Sequence, residues 1–444
     1  MTEGSIAKHL LLFFVPLLAG TFFQLLYNTV DALIVGRFVG TEALSAVGGS
    51  ASQLVNMFVG LFVGVSGGAT VVVAQAFGAR RDDDLKKAVQ TSIGAGFLFG
   101  CILTVLFFLL TPVLLTRMHT EELAMSQLYL RIYTIGMLPN VLYNVSSGIF
   151  RAVGDSGKPF WFLVAGALTN IVLDLVFVIG LGTGVAGVAA ATVISQLLSA
   201  ALSLHALMHA DGAYRLELGS LRLDPWYTKR IVGIGIPSGI QNMMYSTSNV
   251  IVQAAINTLG ITAIAAWAVL AKIDALYWML VSSLGISITT FVGQNYGAGR
   301  LDRVKKSMAV AAGVALAGTA AFSVFMYSLA PQLYGIFTED AAVIEMGTPV
   351  ARIFAASYVL YIGLEVFSAT LRGMGDTLRP TLIMLVGICL LRIAFTLYAA
   401  PRHRSLIAIS FGYPLTWLVT SILFAFYFVW FIRKLHNKKK ASGL

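Results

Sequence analysis

An apolar run from Phe160 to Leu181 is long enough to cross a bilayer, and inside it Asn170 and Asp174 stand four residues apart. On a helix that spacing stacks both side chains on one face, about one turn or ~6 Å apart. A carboxylate at such depth costs roughly 2.5–3.5 kcal/mol on insertion scales, so it must face protein or water and find a partner. Two other apolar runs offer one. The first carries Asp31, with Asn28 and Gln24 before it on the same helical stripe, and the sixth carries Thr192. None of the three has a Lys or Arg in its core. Two carboxylates without a basic counter-charge take up protons, hold a metal cation, or stay strongly coupled. The alternative is a hydrogen-bonded network that only holds the helices together.

Composition identifies the elements that must carry these groups. With 444 residues, 58% hydrophobic and 11% charged, the chain fits no soluble globular class. Apolar stretches recur along its length, which predicts an all-α polytopic membrane protein. Twelve spans are expected, at about 10–36, 46–76, 88–116, 127–150, 159–181 and 184–208, then 230–258, 263–293, 305–334, 347–371, 380–400 and 405–432. Cys101 and Cys389 both fall in apolar runs, so neither a disulfide framework nor a metal cluster is expected. The polar start Met1–His9 carries no cleavable signal, and the first apolar run is itself a span.

Charge sets the expected orientation. One set of alternate loops collects Lys8, Arg80, Arg81, Lys86, Lys87, Arg151, Lys158, Arg372, Arg379, the basic residues of 215–230 and 300–306, and the tail from Arg433 to Lys440. The other holds only Arg37, Arg117, Arg131, Arg352, Arg402 and Arg404. That asymmetry places both termini in the cytoplasm, and the short terminal regions without a transit segment point to a plasma (inner) membrane. The net charge of +10 is therefore topological, not a nucleic-acid footprint, and Lys438, Lys439 and Lys440 are free to touch anionic lipid. In this orientation Asp31, Asn170, Asp174 and Thr192 share one depth, in or near the outer halves of spans one, five and six. An ion site must meet that condition.

The chain also contains itself twice. Gln75-Ala76-Phe77-Gly78-Ala79 returns as Gln294-Asn295-Tyr296-Gly297-Ala298. Arg151-Ala-Val-Gly154-Asp155 followed by Pro159 returns as Arg372-Gly-Met-Gly375-Asp376 followed by Pro380, and Pro16 returns as Pro237. Offsets of 219 to 221 hold throughout. Each half then has six spans and inserts the same way up, giving an N-lobe at 1–208, a cytoplasmic connector at 209–229 and a C-lobe with its basic tail at 230–444. In the first span Pro16 frees a backbone carbonyl and permits a bend.

The Pro16…Gln24…Asp31 span, the doubled Gln-x-x-Gly-Ala and the doubled Arg-x-x-Gly-Asp…Pro resemble the multidrug and toxic compound extrusion (MATE) family across essentially the whole chain. The resemblance implies two six-helix bundles in a V with a central cleft. It implies an antiporter exporting amphiphilic, often cationic compounds in exchange for sodium or protons. It also implies a cation or proton site at Asp31, Asn170, Asp174 and Thr192, with sodium as the metal. No cofactor beyond the coupling ion is expected, and a monomer is expected to suffice.

The second half does not repeat the site. Asp31 maps near Val252, Asp174 onto Phe395 and Thr192 onto Tyr413, while span seven has Gln241 and Asn242 where some family members have an acid. The C-lobe instead carries Lys272, Asp274, Glu365 and Arg392, whose charges can neutralise one another. Two roles stay open for Glu365 and Asp274: substrate contact or structural ion pairing. Candidates to line a substrate path are Gln24, Asn28, Gln53, Asn140, Tyr143, Asn144, Gln241, Asp274, Tyr361 and Glu365, alongside Asn56, Met243, Met244, Tyr245 and Tyr277. Met and aromatic surfaces repack around varied amphiphiles and offer cation–π faces. A flippase for a lipid-linked precursor is the competing function, but it calls for a strongly basic cavity. Neither a His-Glu metal motif, a nucleophile elbow nor a nucleotide loop occurs, so an enzyme is not expected.

Overall fold

Long apolar segments leave the backbone no hydrogen-bonding partner but itself, and the chain answers with helices. The computed structural model describes residues 1–118 and 123–441. The principal helices are α1 (Ile6–Ile34), α2 (Ser52–Gly78), α3 (Asp82–Arg117), α4 (Leu123–Val153), α5 (Gly157–Asp174) and α6 (Gly184–Met208) in the first half. The second half has α7 (Pro225–Asn257), α8 (Ile261–Gly297), α9 (Leu301–Ser328), α10 (Ala341–Gly373), α11 (Leu391–His403) and α12 (Gly412–Ala441). Each coincides with one expected span. Among the described residues, ten helical segments are long and apolar enough to cross a membrane. The other two, α4 and α7, are as long but carry polar residues such as Asn140, Asn144, Gln241 and Asn242. The side chains of Lys438, Lys439 and Lys440 lie outside the described residues.

Four spans contain wider π-helical turns: Val35–Val39 after α1, Val47–Ala51 before α2, Leu175–Gly180 after α5 and Leu385–Leu390 before α11. Asp174 is the last residue before one of them, and Asp31 lies four residues before another. Such turns leave local backbone groups less tightly paired and concentrate at functional sites. Pro16 does not interrupt α1, which runs unbroken from Ile6 to Ile34.

The repeated motifs adopt repeated structures. Gly154 and Gly375 have φ of 98° and 89°, which a residue with a Cβ rarely adopts. In each loop the amide of the following aspartate reaches back to close the helix, Asp155 to Phe150 O at 2.9 Å and Asp376 to Leu371 O at 3.0 Å. The aspartates then serve their own surroundings. Asp155 Oδ1 accepts from the Gly157 and Lys158 amides, and Asp376 accepts from the Tyr427 hydroxyl. The expected arginine–aspartate cross-link of the loop ends does not form: among the described residues neither Arg151 nor Arg372 pairs with its aspartate, because the aspartate oxygens are turned to these other donors.

The chain folds as two compact units. One comprises Met1–Thr2, Leu11–Asn242 and Gly293–Arg300; the other comprises Glu3–Leu10, Met243–Val292 and the chain from Leu301 onward. Within the first, α2 and α7 pack backbone against backbone. A Cβ added to Gly64 would fall 2.3 Å from Gly239 N, and one on Gly68 would fall 2.4 Å from Ile231 O. Small residues four apart allow this approach where apolar burial supplies no drive between helices. The segment leading to α7 is fastened to α3 by Lys86, whose ammonium lies 2.9 Å from Glu217 and holds that exposed carboxyl below its usual range.

Gly64→Ala should therefore destabilise the protein by about 1–3 kcal/mol through overpacking. Gly67→Ala, at a position open to space, should leave it unchanged. Thermal unfolding of both variants in detergent checks the contrast; equal melting temperatures would show that the α2–α7 packing is loose.

Candidate functional site

Within the first unit, α1 and α5 bring Asp31 and Asp174 together. Asp174 and Asn170 are fully buried, Thr192 is 6% exposed and Asp31 is half-buried. The two carboxyl groups lie within electrostatic range of each other. Both are acceptors when ionised, so a bond can form between them only when one carries a proton. Thr192 Oγ1 donates to Val188 O at 3.0 Å, which leaves its lone pairs free to accept. Asn170, one turn before Asp174, makes no hydrogen bond through either amide atom.

The site leaves five oxygens unpaired against one unpaired donor, Asn170 Nδ2. Asp31 Oδ1, both Asp174 oxygens, Asn170 Oδ1 and Gln196 Oε1 are all buried without a hydrogen-bond partner. Unpaired buried acceptors cost about 1–3 kcal/mol each, and more when charged. Protons or a hard cation relieve that cost, since carboxylate, amide and hydroxyl oxygens are the ligands such cations select. Among the described residues no group of three or more His, Cys, Asp or Glu could hold a metal ion, so two carboxylates plus neutral oxygens make up the set.

Four residues at this site were not anticipated. Tyr27 precedes Asp31 by one turn of α1, and Tyr27 and Tyr129 both lie in electrostatic range of the two acids. Tyr129 stacks on Tyr133 with ring centroids 5.9 Å apart, and Gln196 Nε2 reaches the Tyr133 hydroxyl at 3.5 Å. Tyr27 and Gln196 were findable, since each is four residues from a named site residue on the same face. Tyr129 and Tyr133 were not, because sequence does not say which face of α4 turns to α1.

The remaining candidates of the first half sit differently. Gln24, Asn28 and Gln53 are exposed side chains. Asn144 donates to Asn140, to both its carbonyl and its side-chain oxygen, and Tyr143 donates to Pro159 O at 3.1 Å. In α7, Gln241 is half-buried.

The second unit handles its charges by other means. Asp274 accepts from Tyr358 and from Trp278 Nε1. Those donors belong to an aromatic cluster in which Tyr277 stacks on Tyr358 at 3.8 Å and Tyr358 on Trp417 at 5.9 Å. Arg392, 2% exposed, lies 3.9 Å over the Tyr413 ring and donates to Thr416 Oγ1 at 3.3 Å. Glu365 accepts from Tyr361 at 3.3 Å and occupies space left by Gly285, where a Cβ would meet its carboxyl oxygen at 2.0 Å. Lys272 is exposed. The expected mutual neutralisation of these four charges does not occur as direct pairing. Among the described residues no ion pair within 4 Å joins any two of them, because aromatic hydroxyls, an indole and ring faces stand in as partners.

Tyr358→Phe keeps the ring stack but removes a donor from Asp274, and should lower stability by about 1–3 kcal/mol. Glu365→Gln removes a carboxylate that has a single weak donor, and should cost less. Thermal melts of the two purified variants check the order; a larger loss for Glu365→Gln would assign that acid a structural partner.

Comparisons with known proteins agree with this architecture. The MatE family model matches residues 16–176 and again 237–398, two stretches that begin at Pro16 and Pro237. The chain is 28% identical to the probable multidrug resistance protein YoeA of Bacillus subtilis (strain 168), over 97% of this chain and 95% of that protein. It is 26% identical to the probable multidrug resistance protein NorM of Thermotoga maritima, over 86% and 83%. A crystal structure of MATE in the straight conformation superposes with a TM-score of 0.92 at 22% identity, covering 98% of both chains. Matched by the family model in both halves over most of its length, the chain belongs to the multidrug and toxic compound extrusion family.

Proposed function

We propose that the protein is a secondary active exporter that moves amphiphilic or cationic compounds outward in exchange for protons or sodium. The single observation that carries this is the pair Asp31 and Asp174: two neighbouring carboxyl groups, one fully buried and one half-buried, whose inward oxygens have no hydrogen-bond partner. Such a site has two occupancy states that differ by a charge, which is what antiport requires of a coupling centre. Asp31, Asn170, Asp174 and Thr192 bind the ion, with Tyr27 in electrostatic range of both acids. The relatives' names as multidrug resistance proteins support the substrate class. Loop charge supports a plasma-membrane orientation with both termini cytoplasmic, and the monomer is taken as the working unit.

Loading the site removes repulsion between α1 and α5. A helix that already contains Pro16 answers by changing its bend or its packing, and so displaces substrate from the half of the path it lines. Asp274, Tyr361 and Glu365 are assigned to the substrate side, with Glu365 the carboxylate available to a cation.

Asp31→Asn and Asp174→Asn should each reduce gradient-driven efflux at least tenfold while leaving insertion and helix content unchanged. Proteoliposomes with separately imposed sodium and proton gradients test both the coupling and the ion. Full transport by both single variants would remove the acid pair from the mechanism.

A further inference from the structure

The repeated Gln-x-x-Gly-Ala motif marks the sequence repeat, yet the transport site makes no use of it. Its two copies end α2 and α8 with matching turns, Ala79 N to Gln75 O and Ala298 N to Gln294 O, each at 3.0 Å. Both copies fall in the first unit, and there they meet. A Cβ on Gly78 would lie 1.9 Å from the carbonyl oxygen of Gln294, and one on Gly297 would lie 2.0 Å from the carbonyl oxygen of Gln75. The arrangement is reciprocal: each glycine rests on the backbone of the other copy's glutamine, the self-complementary geometry of a twofold. No residue with a Cβ fits at either point.

Polar side chains fasten this joint to its surroundings. Arg230 donates to Gln75 Oε1 while its guanidinium lies 4.7 Å over the Trp226 ring. Gln294 Nε2 donates to Ala152 O at 2.7 Å, beside the loop of Gly154 and Asp155. Hydrogen bonds of this kind contribute about 1 kcal/mol each on net, and the glycines themselves interdigitate no side chains. Contact surfaces made of backbone and polar groups can separate and re-form more readily than interlocked apolar side chains.

We propose that Gly78 and Gly297, each seated on the other motif's glutamine backbone, form a latch at the basic-loop ends of α2 and α8, closed in this structure, which parts when the transporter opens toward that side. The inference rests on the transport function proposed above. The glutamine side chains tether the latch to α7 and to the end of α4, so its opening is linked to the helices that follow and precede it.

The test uses the full chain in liposomes, with Cys101 and Cys389 replaced by serine and spin labels at the exposed positions Asp82 and Asp302. The parent should show a main distance and a wider population that grows when tetraphenylphosphonium and an opposing proton or sodium gradient are supplied. Gly78→Ala and Gly297→Ala should each move most molecules to the wider distance and cut tetraphenylphosphonium efflux at least tenfold, while Gly67→Ala changes neither. Unaltered distances and normal efflux in inserted Gly78→Ala and Gly297→Ala proteins would overturn the latch. If neither variant inserts, the labelled parent decides: one distance that never broadens under any gradient overturns it. Parting of the labels without movement of any compound would uphold the latch and refute the transport function, so the two can fail separately.

Discussion

The first half of this protein is built around two carboxylates, one buried and one half-buried, whose inward oxygens have no hydrogen-bond partner. In water Asp31 and Asp174 would be solvated at little cost; within a helical bundle each oxygen must find a donor or a cation. The protein supplies oxygens instead: Asn170 stands one turn before Asp174 with its own oxygen unpaired, and Tyr27 and Tyr129 stand in range of the pair's charge. An apolar replacement would hold the helices together better. Keeping an unsatisfied set there makes sense when a mobile positive charge is the missing partner, and the π-helical turns beside both acids place the local backbone where it can adjust to that charge.

The second half shows what the same solvent problem looks like when it is solved permanently. Asp274 has a phenol and an indole donating to it and Arg392 has a ring face and a threonine, while Glu365 keeps the single donor Tyr361. These partners are fixed by a stacked aromatic cluster that leaves the Asp274 carboxylate no need of a mobile ion. Two halves built on one repeat thus differ in whether their buried charges have resident partners. Antiport needs only one switchable site, and a second half with its charges held still can present a constant surface to substrate.

Much of this was legible in the residues and some was not. Helical periodicity places Asn170 and Asp174 on one face, and counting spans puts Asp31 and Thr192 at a shared depth, while their reading as one cation site comes from the family resemblance. Direction across helices does not. Balancing formal charges pairs Glu365 with Arg392, yet the structure gives each an aromatic neighbour, because a carboxylate on α10 and a guanidinium on α11 meet only if both side chains point inward at the same level. The π-helical turns depend on a shift of backbone hydrogen-bond register that leaves no mark in the pattern of apolar residues. The repeat, by contrast, was plain from Gly78 and Gly297, though not that the two copies would touch.

Magnitudes decide whether so small a site can drive so large a protein. Moving a two-state equilibrium from 1:99 to 99:1 takes about 5.5 kcal/mol of differential binding. Two unit charges about 4 Å apart repel by on the order of 4 kcal/mol at an effective dielectric constant of about 20. Satisfying one orphaned acceptor contributes roughly 1–3 kcal/mol more. A single proton or sodium ion placed between Asp31 and Asp174 therefore carries enough differential energy to set the balance of states, provided the empty pair is held together in one state and relaxed in the other. A side chain that neutralised the pair permanently would cancel that difference. In the exporter proposed above, coupling would depend on no lysine or arginine neutralising the pair, and a substitution that introduces one would remove the switch while stabilising the fold.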